Sequence, residues 1–193
     1  MSDDSAADKR ERILEAALAV LGRDGISGVT MRAVAREADV ALGLATYHFE
    51  DKAGLVVAAL ERIADGDAAL VEPDPADTPP EALRAALHRI ADPTFLSLPY
   101  LSLRLQLWSL AGVDERYASI NQHAQRRYLD GLVALLGAAR PDLDPDEVER
   151  RANDILVVQN GVWLTSVLVP DPATVARSVA RTETIAFADA TGT

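Results

Sequence analysis

Apolar residues recur at helical spacing along almost the whole chain, and this periodicity restricts its fold more than any other feature. A first helix, predicted over residues 8–23, carries an apolar stripe made of Ile13, Leu14, Ala17, Leu18 and Leu21. Strand signals, meaning alternating β-branched runs joined by Asn-Gly or Asp-Gly turns, are missing from the sequence. The chain is therefore predicted to be all-α, with roughly nine or ten helices.

Helix starts are marked by side chains that accept hydrogen bonds from free backbone amides. Thr30 is predicted to cap a short helix, and Asp51 a long helix that carries Leu55, Ala59 and Ile63. The segments 78–81 and 144–147 have the capping-box pattern with proline at the first helical position. Helices are further predicted at about residues 93–112, with a break near Pro99, and at 114–137, 145–169 and 172–186.

The composition excludes several classes of protein. The chain has 193 residues, 49% of them hydrophobic, which is enough for a sizeable core. It has no cysteine, which excludes disulfides, cysteine-ligated zinc and a thiol nucleophile. No apolar run approaches the ~20 residues of a membrane span, and the polar start lacks a secretory signal, so we expect a cytoplasmic location and no membrane partner. The net charge of −11 restricts any contact with nucleic acid to a local basic surface.

Two short helices after a longer one, within the first fifty residues, form a helix-turn-helix pattern. In this arrangement one short helix braces the other, which presents its N-terminal side chains to the major groove of DNA. The first sixty residues carry 7 basic and 10 acidic side chains, so there is no strongly basic block. On charge alone, solvated surface residues remain an alternative interpretation of the basic side chains.

Short motifs follow one another without a gap over about residues 8–60. They are Arg10-Glu-Arg-Ile-Leu-Glu-Ala-Ala-Leu18, Gly25-Ile-Ser-Gly-Val-Thr30, Val34-Ala-Arg-Glu-Ala-Asp-Val40, Gly43, Tyr47-His-Phe49, Lys52 and Gly54-Leu55. This ordered set resembles the TetR family of bacterial transcriptional regulators. The resemblance implies a three-helix helix-turn-helix DNA-binding domain over residues 1–55, followed by a helical ligand-binding and dimerisation domain over residues 56–193.

The same resemblance implies which residues contact DNA. The recognition helix would be residues 41–48, and Phe49 would be a core anchor. The implied DNA-binding residues are Thr30, Arg32, Ala41, Leu42, Gly43, Leu44, Thr46, Tyr47, His48 and Lys52. Thr30 and Lys52 would meet phosphates and Arg32 a phosphate or a base, since helix amides and cations attract anions. Solvent exposure for Arg32 and simple packing for His48 are the alternatives.

The chain departs from the family pattern at two positions of the recognition helix. Ala41 stands where Ser or Thr usually caps the helix, and Thr46 where Tyr is frequent. The missing cap is expected to lower local helix stability by about 0.5–2 kcal/mol. Base recognition would then depend on apolar contacts with thymine methyl groups, on Thr46 and on DNA shape.

The helix predicted to end at residue 169 is apolar nearly all round, which is typical of a helix buried on every side. We expect one side to face its own core and another to face a second copy of the chain. The last helix adds a stripe predicted to close a four-helix dimer interface, made of Val175, Val179, Thr182 and Ala186. A two-fold dimer would hold its recognition helices roughly 34–36 Å apart. More loosely, residues 159–164 resemble the corresponding helix of family members with a BetI-like C-terminal domain.

Aromatic and polar residues of the second half suggest a small-molecule pocket. The candidates are Phe95, Tyr100, Gln106, Trp108, Tyr128, Gln159, Asn160, Trp163 and Ser166. Gln159, Trp163 and Ser166 share one helical face; ordinary core packing is the alternative for each residue. Since no buried Arg or Lys is evident, we expect an apolar or amphipathic ligand that is uncharged or cationic.

The resemblance thus predicts a homodimeric repressor that an unidentified small-molecule effector releases from a pseudo-palindromic, double-stranded DNA operator. An activator, or a regulator without an effector, is an alternative within this class. A second class also stays open: a helical ligand-binding or scaffold protein that has lost operator binding. No enzyme and no cofactor are expected, because catalytic motifs are missing. His48, His88 and His123 lack the spacing of metal ligands, so no metal site is expected.

Overall fold

A computed structural model describes residues 6–189, and over this range the chain is all-helical, as predicted. The nine helices of the described range are α1 (Ala6–Gly28), α2 (Met31–Glu37), α3 (Leu42–Phe49), α4 (Lys52–Ala69), α5 (Pro79–Arg89), α6 (Leu98–Ala111), α7 (Glu115–Ala139), α8 (Pro145–Leu168) and α9 (Pro172–Phe187). The chain divides into two compact units. One comprises the residues up to Ala64 with Ser102–Asn121, and the other Asp65–Leu101 with the residues from Gln122 onward.

The core of the first unit is built on the predicted stripe of α1. Ile13 and Leu21 are buried there together with Val34 of α2 and Phe49 of α3. Helix α2 packs against both α1 and α3. Gly25 interrupts the helical geometry of α1 with φ +70°, a conformation that glycine adopts without steric strain. The predicted break at the end of the first helix is thus confirmed.

Most of the predicted caps are present. The Thr30 hydroxyl accepts a hydrogen bond from the Ala33 amide at 3.0 Å, and the Asp51 carboxylate accepts one from the Gly54 amide at 2.9 Å. Thr78 and Glu81 form the predicted capping box. These contacts satisfy amides at the first turns of α2, α4 and α5. Helix α3 has Ala41 at its N-cap and therefore no side-chain cap, as the sequence predicts.

The prediction of a helix start at Pro93 is wrong. Residues 92–97 form turns, and the Asp92 carboxylate accepts a hydrogen bond from the Thr94 amide at 2.8 Å. This local bond gives the backbone an alternative to helix. Helix α6 starts at Leu98 instead, which places Pro99 in the first turn, where its missing N–H has no helical acceptor to lose.

In the second unit, α9 packs against α5 and α8. The stripe Val175, Val179, Thr182 and Ala186 is buried within the chain itself. The prediction that it faces a second copy is therefore wrong, because its own unit already covers it. Helix α8 is not buried on every side either: Val157, Gly161, Leu164 and Leu168 form an exposed face at spacings of four, three and four residues.

Two arginines bind the C-terminal end of α9. Arg151 donates to the carbonyl oxygen of Ala188 at 2.8 Å, and Arg140 donates to the same oxygen at 2.7 Å. Arg151 is buried and also donates to the Glu147 carboxylate at 2.6 Å. Hydrogen bonds from Arg150 and then Arg151 lower the pKa of Glu147.

No helix in residues 6–189 is long and apolar enough to cross a membrane.

Candidate functional site

Helices α2 and α3 form the helix-turn-helix within the first unit. The turn between them is fixed by a hydrogen bond from the Val40 amide to the Ala35 carbonyl at 2.9 Å. Arg12 of α1 donates to the Ala38 carbonyl at 3.0 Å and so binds the C-terminal end of α2. The first interaction fixes the end of α2 at the turn that leads to α3, and the second attaches that end to α1. The backbone at Asp39 is left-handed, with φ +52°, which gives the turn its sharp bend.

Helix α3 has one anchored face and one open face. Ala45 and Phe49 are buried in the core of the first unit. On the open side, Tyr47 is 80% exposed and Leu42 42% exposed. A Cβ atom at Gly43 would meet no heavy atom of the described structure within 4 Å. The open face is therefore available to a large partner surface.

Polar groups on this face are few. The Thr46 hydroxyl donates to the Leu42 carbonyl at 3.1 Å, and the Tyr47 ring meets the His48 ring edge-on at 5.2 Å between centroids. Ala41 is exposed and Leu44 half-buried, and neither carries a side-chain donor. Contact with DNA bases through this face would therefore be mainly apolar, with the Tyr47 hydroxyl and the His48 ring as polar groups.

Cationic groups lie beside the helix-turn-helix. Arg32 is exposed on α2, and the Lys52 ammonium donates to the Ile26 carbonyl at 2.7 Å, which fixes its position at the start of α4. Arg10 was missed by the sequence reasoning: its guanidinium lies 5.1 Å from the centroid of the Phe49 ring, near the end of α3. Arg10 belongs to the sequence motif of the first helix. Its contact with Phe49 depends on how α1 packs against α3, which the motif does not indicate.

Arg23 is an exposed cation of a different kind. It pairs with Glu37 at 3.1 Å and with Asp24 at 3.2 Å, and the hydrogen bond that it donates to the Glu37 carboxylate is the main reason why its pKa is raised. Two carboxylates therefore compensate its charge.

Three of the predicted ligand-binding residues come together inside the second unit. The Tyr128 hydroxyl donates to Gln159 Oε1 at 2.7 Å, and the Tyr128 and Trp163 rings lie 6.4 Å apart between centroids. Gln159 is fully buried, and its Nε2 atom has no hydrogen-bond partner among the described residues. A buried amide donor left in this way can bind an acceptor atom of a ligand or a water molecule.

The other predicted residues are dispersed. Phe95 and Tyr100 stack edge-on at 5.2 Å, and Tyr100 donates to Asp67 Oδ1 at 2.5 Å. Asn160 is half-buried on α8. Gln106 and Trp108 belong to the first unit, where the Gln106 amide donates to the Leu21 carbonyl at 3.1 Å.

An apolar cavity of about 550 Å³ lies in the second unit, where residues 91–98, the start of α6, the end of α8 and the start of α9 meet. Its lining includes Leu96, Leu98, Leu101 and Val175. Ser166 is the one predicted ligand-binding residue in the described lining. The remaining lining residues carry no sequence signal that separates them from ordinary core and turn positions.

The premise that no arginine is buried is wrong. Arg104 and Arg151 are each 3% exposed. Arg151 is bound by Glu147 and by carbonyl oxygens of the α9 end, and neither arginine lines the cavity. Among residues 6–189 there is no group of three or more His, Asp or Glu side chains that could hold a metal ion.

Comparisons with known proteins cover both parts of the chain. The model of the tetR family of bacterial regulatory proteins matches residues 13–59, and that of the BetI-type transcriptional repressor C-terminal region matches residues 79–186. The HTH-type transcriptional regulator BetI of Burkholderia thailandensis is 28% identical over 167 residues, covering 85% of this chain and 84% of the relative.

Solved structures agree with these matches. A putative transcriptional regulator from Pseudomonas aeruginosa PAO1 has a TM-score of 0.81 at 24% identity, over 95% of this chain and 91% of its own, and supports the fold. The multidrug binding protein EbrR, solved in complex with ethidium, has a TM-score of 0.67 at 30% identity, over 92% of this chain and 98% of its own. The predictions of a DNA-binding transcriptional regulator and of no enzyme are confirmed. The chain belongs to the TetR family of bacterial transcriptional regulators, with a C-terminal region of the BetI repressor type.

Proposed function

We propose that the chain is a homodimeric repressor that binds a pseudo-palindromic DNA operator and leaves it when a small-molecule effector binds. In this proposal residues 1–55 bind DNA, and residues 56–193 bind the effector and the second copy. The DNA-binding residues are those that the sequence indicated: Thr30, Arg32, Ala41, Leu42, Gly43, Leu44, Thr46, Tyr47, His48 and Lys52. The open face of α3, held in place by buried Ala45 and Phe49, is the observation that carries the proposal. A cytoplasmic location accompanies this function, since the operator lies there.

Exposed cations beside α3 would contact phosphates and release counterions. The logarithm of operator affinity falls with the logarithm of salt concentration, and each lost phosphate contact reduces that slope by about one. We therefore expect Arg32→Ala to weaken binding and reduce the slope by about one. Arg23→Ala is the matched control, since Glu37 and Asp24 already compensate that cation.

The assay is fluorescence anisotropy on the DNA upstream of the chain's own gene, at several salt concentrations. Equal slopes for Arg32→Ala and the wild type would remove Arg32 from the interface. Failure of the wild type to bind any fragment of this region at low salt would overturn the proposal as a whole.

The exposed face of α8 supports dimerisation. Val157, Leu164 and Leu168 are large apolar residues open to solvent in one protomer, and Gly161 between them permits close helix approach. A two-fold axis through this face would bury it against its own copy and present two recognition helices to successive major grooves. We expect Leu164→Asp to give monomers in sedimentation velocity and to lose operator affinity. Val113→Asp, at an exposed apolar position of the first unit, should remain dimeric.

The effector part of the proposal draws on α8 as well. Gln159, Trp163 and Ser166 follow one another along this helix, from a buried polar cluster to the cavity lining. The neighbour EbrR binds ethidium, which supports a small-molecule ligand for this chain too. Coupling requires that the effector bind the DNA-free state more tightly than the DNA-bound state. Phe95, Tyr100, Gln106, Trp108, Tyr128 and Asn160 stay predictions for this site.

One observation favours the second class of function, a ligand-binding or scaffold protein without operator binding. The first exposed positions of the recognition helix, from Ala41 to Gly43, carry no side-chain donor or acceptor. A wild-type chain that dimerises and binds small molecules but shifts no upstream DNA fragment in a gel would support that class.

A further inference from the structure

We infer that the apolar cavity at the start of α6 binds an uncharged, largely apolar small molecule with at most one or two polar groups, and that this molecule is the effector. The inference rests on the proposed function for the role of the ligand, but not for the existence of the site. The cavity's volume of about 550 Å³ lies within the usual range for drug-sized ligands, roughly 300–1,000 Å³.

The wall of the cavity offers apolar surface and few hydrogen-bond donors. Both Leu101, which is buried, and Leu98, which is 65% exposed, belong to the lining. Three prolines belong to the lining: Pro93, Pro170 and Pro172. A proline has a fixed φ angle and no N–H group, so these positions form a rigid edge that places no amide donor next to the ligand. An apolar ligand would therefore enter a largely preformed site.

The charge of the lining argues for a neutral ligand. Asp171 is the ionisable residue of the described lining, and its carboxylate caps α9. It accepts hydrogen bonds from the Ala173 amide at 3.0 Å, from the Thr174 amide at 3.1 Å and from the Thr174 hydroxyl at 2.5 Å. Arg177 lies 3.7 Å from the same carboxylate. With its charge compensated in this way, Asp171 gives a cation little attraction, and the lining contains no cation for an anion.

Ser166 supplies the polar contact. Ser166 belongs to the lining, and a serine hydroxyl can exchange one hydrogen bond with a carbonyl, ester or hydroxyl group of the ligand. A ligand that covered Leu98 would also remove a large exposed apolar side chain from water, which favours binding. Apolar walls with one placed hydroxyl distinguish this cavity from a site built for a charged molecule.

The test uses the full-length dimer and two fluorescent probes of similar size, Nile red, which is uncharged, and ethidium, which is cationic. We expect saturable binding of Nile red, with about tenfold lower affinity in Leu98→Ser, because part of the apolar contact is lost. Ser166→Ala should weaken Nile red by a smaller factor. Val113→Ser, which removes another exposed apolar side chain in the first unit, should leave the affinity unchanged. Ethidium binding should be at least tenfold weaker and insensitive to Leu98→Ser.

Four outcomes would overturn the inference. The first is equal Nile red affinity in Leu98→Ser and the wild type. The second is ethidium binding that is tighter than Nile red binding and depends on Leu98. The third is Nile red binding only in the monomeric Leu164→Asp variant, which would mean that a second copy covers the cavity. The fourth is Nile red binding at the cavity without release of bound operator, which would leave a site but not the effector site. A wild type that never binds operator would refute the proposed function instead, while the Nile red results would still decide whether the site exists.

Discussion

Replacing Gly43 by alanine should raise the free energy of unfolding of the protein and lower its affinity for DNA. Gly43 lies in α3, and a Cβ atom there would meet nothing within 4 Å in the described structure. The backbone at Gly43 does not have the positive φ that would disfavour alanine. Alanine in a helix is more stable than glycine by roughly 0.5–1 kcal/mol. For a chain of this length, this corresponds to a rise in Tm of about 1–4 °C.

The effect on DNA binding has the opposite sign. If the open face of α3 enters the major groove, glycine permits the closest approach of its backbone to the bases. An extra methyl group in a tightly packed contact is unfavourable by about 1–3 kcal/mol. Operator affinity should then fall by about 5- to 150-fold, measured by anisotropy at constant salt concentration.

Gly137→Ala is the control for this experiment. Gly137 lies in α7, and a Cβ atom there would be 3.9 Å from Val148, an ordinary contact distance. This variant should gain comparable stability and keep the wild-type operator affinity. A Gly43→Ala protein that is more stable and binds operator as tightly as the wild type would refute a close approach of α3 to the bases.

Three further variants test local features of the fold. Ala41→Ser should add the missing cap of α3 and raise the free energy of unfolding in urea by about 0.5–2 kcal/mol. Gly131→Ala should lower it by about 1–3 kcal/mol, because the new Cβ would lie 2.4 Å from Val71 Cγ2. The hydrogen bond from the Thr174 hydroxyl holds the pKa of Asp171 below its ordinary value of 3.8, so this group stabilises the fold above that pH and ceases to do so as pH falls through the lowered pKa. Asp171→Asn should therefore lose less stability than wild type between about pH 5 and pH 3 in thermal unfolding.

Each of these expectations has a clear contrary result. An unchanged unfolding midpoint in Ala41→Ser would mean that the start of α3 gains nothing from a side-chain acceptor. Stability of Gly131→Ala equal to that of Gly137→Ala would show that the neighbouring valine yields to a methyl group. Identical acid profiles for Asp171→Asn and the wild type would remove this carboxylate from the acid transition.

The helix-turn-helix region could be predicted closely from the sequence because its signals are local. The apolar stripe of α1, the Thr30 cap and the break at Gly25 each depend on residues within one or two turns. The failures depend on distant partners or on competing local bonds. The helix predicted to start at Pro93 does not form there, because the Asp92 carboxylate accepts a local hydrogen bond from the Thr94 amide. The stripe of α9 is apolar because α5 and α8 of the same chain cover it.

The predicted ligand-binding residues show the same limit of sequence reasoning. They were selected by residue type, yet an amide such as Gln106 can serve either a ligand or a backbone carbonyl, and here it binds that of Leu21. The cavity lining, by contrast, consists largely of leucines and prolines from the ends of several helices. Such residues carry no chemical signature, and only the packing of the helix ends brings them together.

The two arginines at the end of α9 have a practical consequence for anyone who shortens or fuses the protein. Arg151 is buried, and its guanidinium is solvated by the Glu147 carboxylate and by the carbonyl oxygens of Ala186, Ala188 and Asp189. A truncation after Ile185 would remove those three oxygens and leave the buried cation with the Glu147 carboxylate but fewer carbonyl acceptors, which destabilises the fold. Reporter domains should therefore be appended beyond Asp189, with every residue through Asp189 retained.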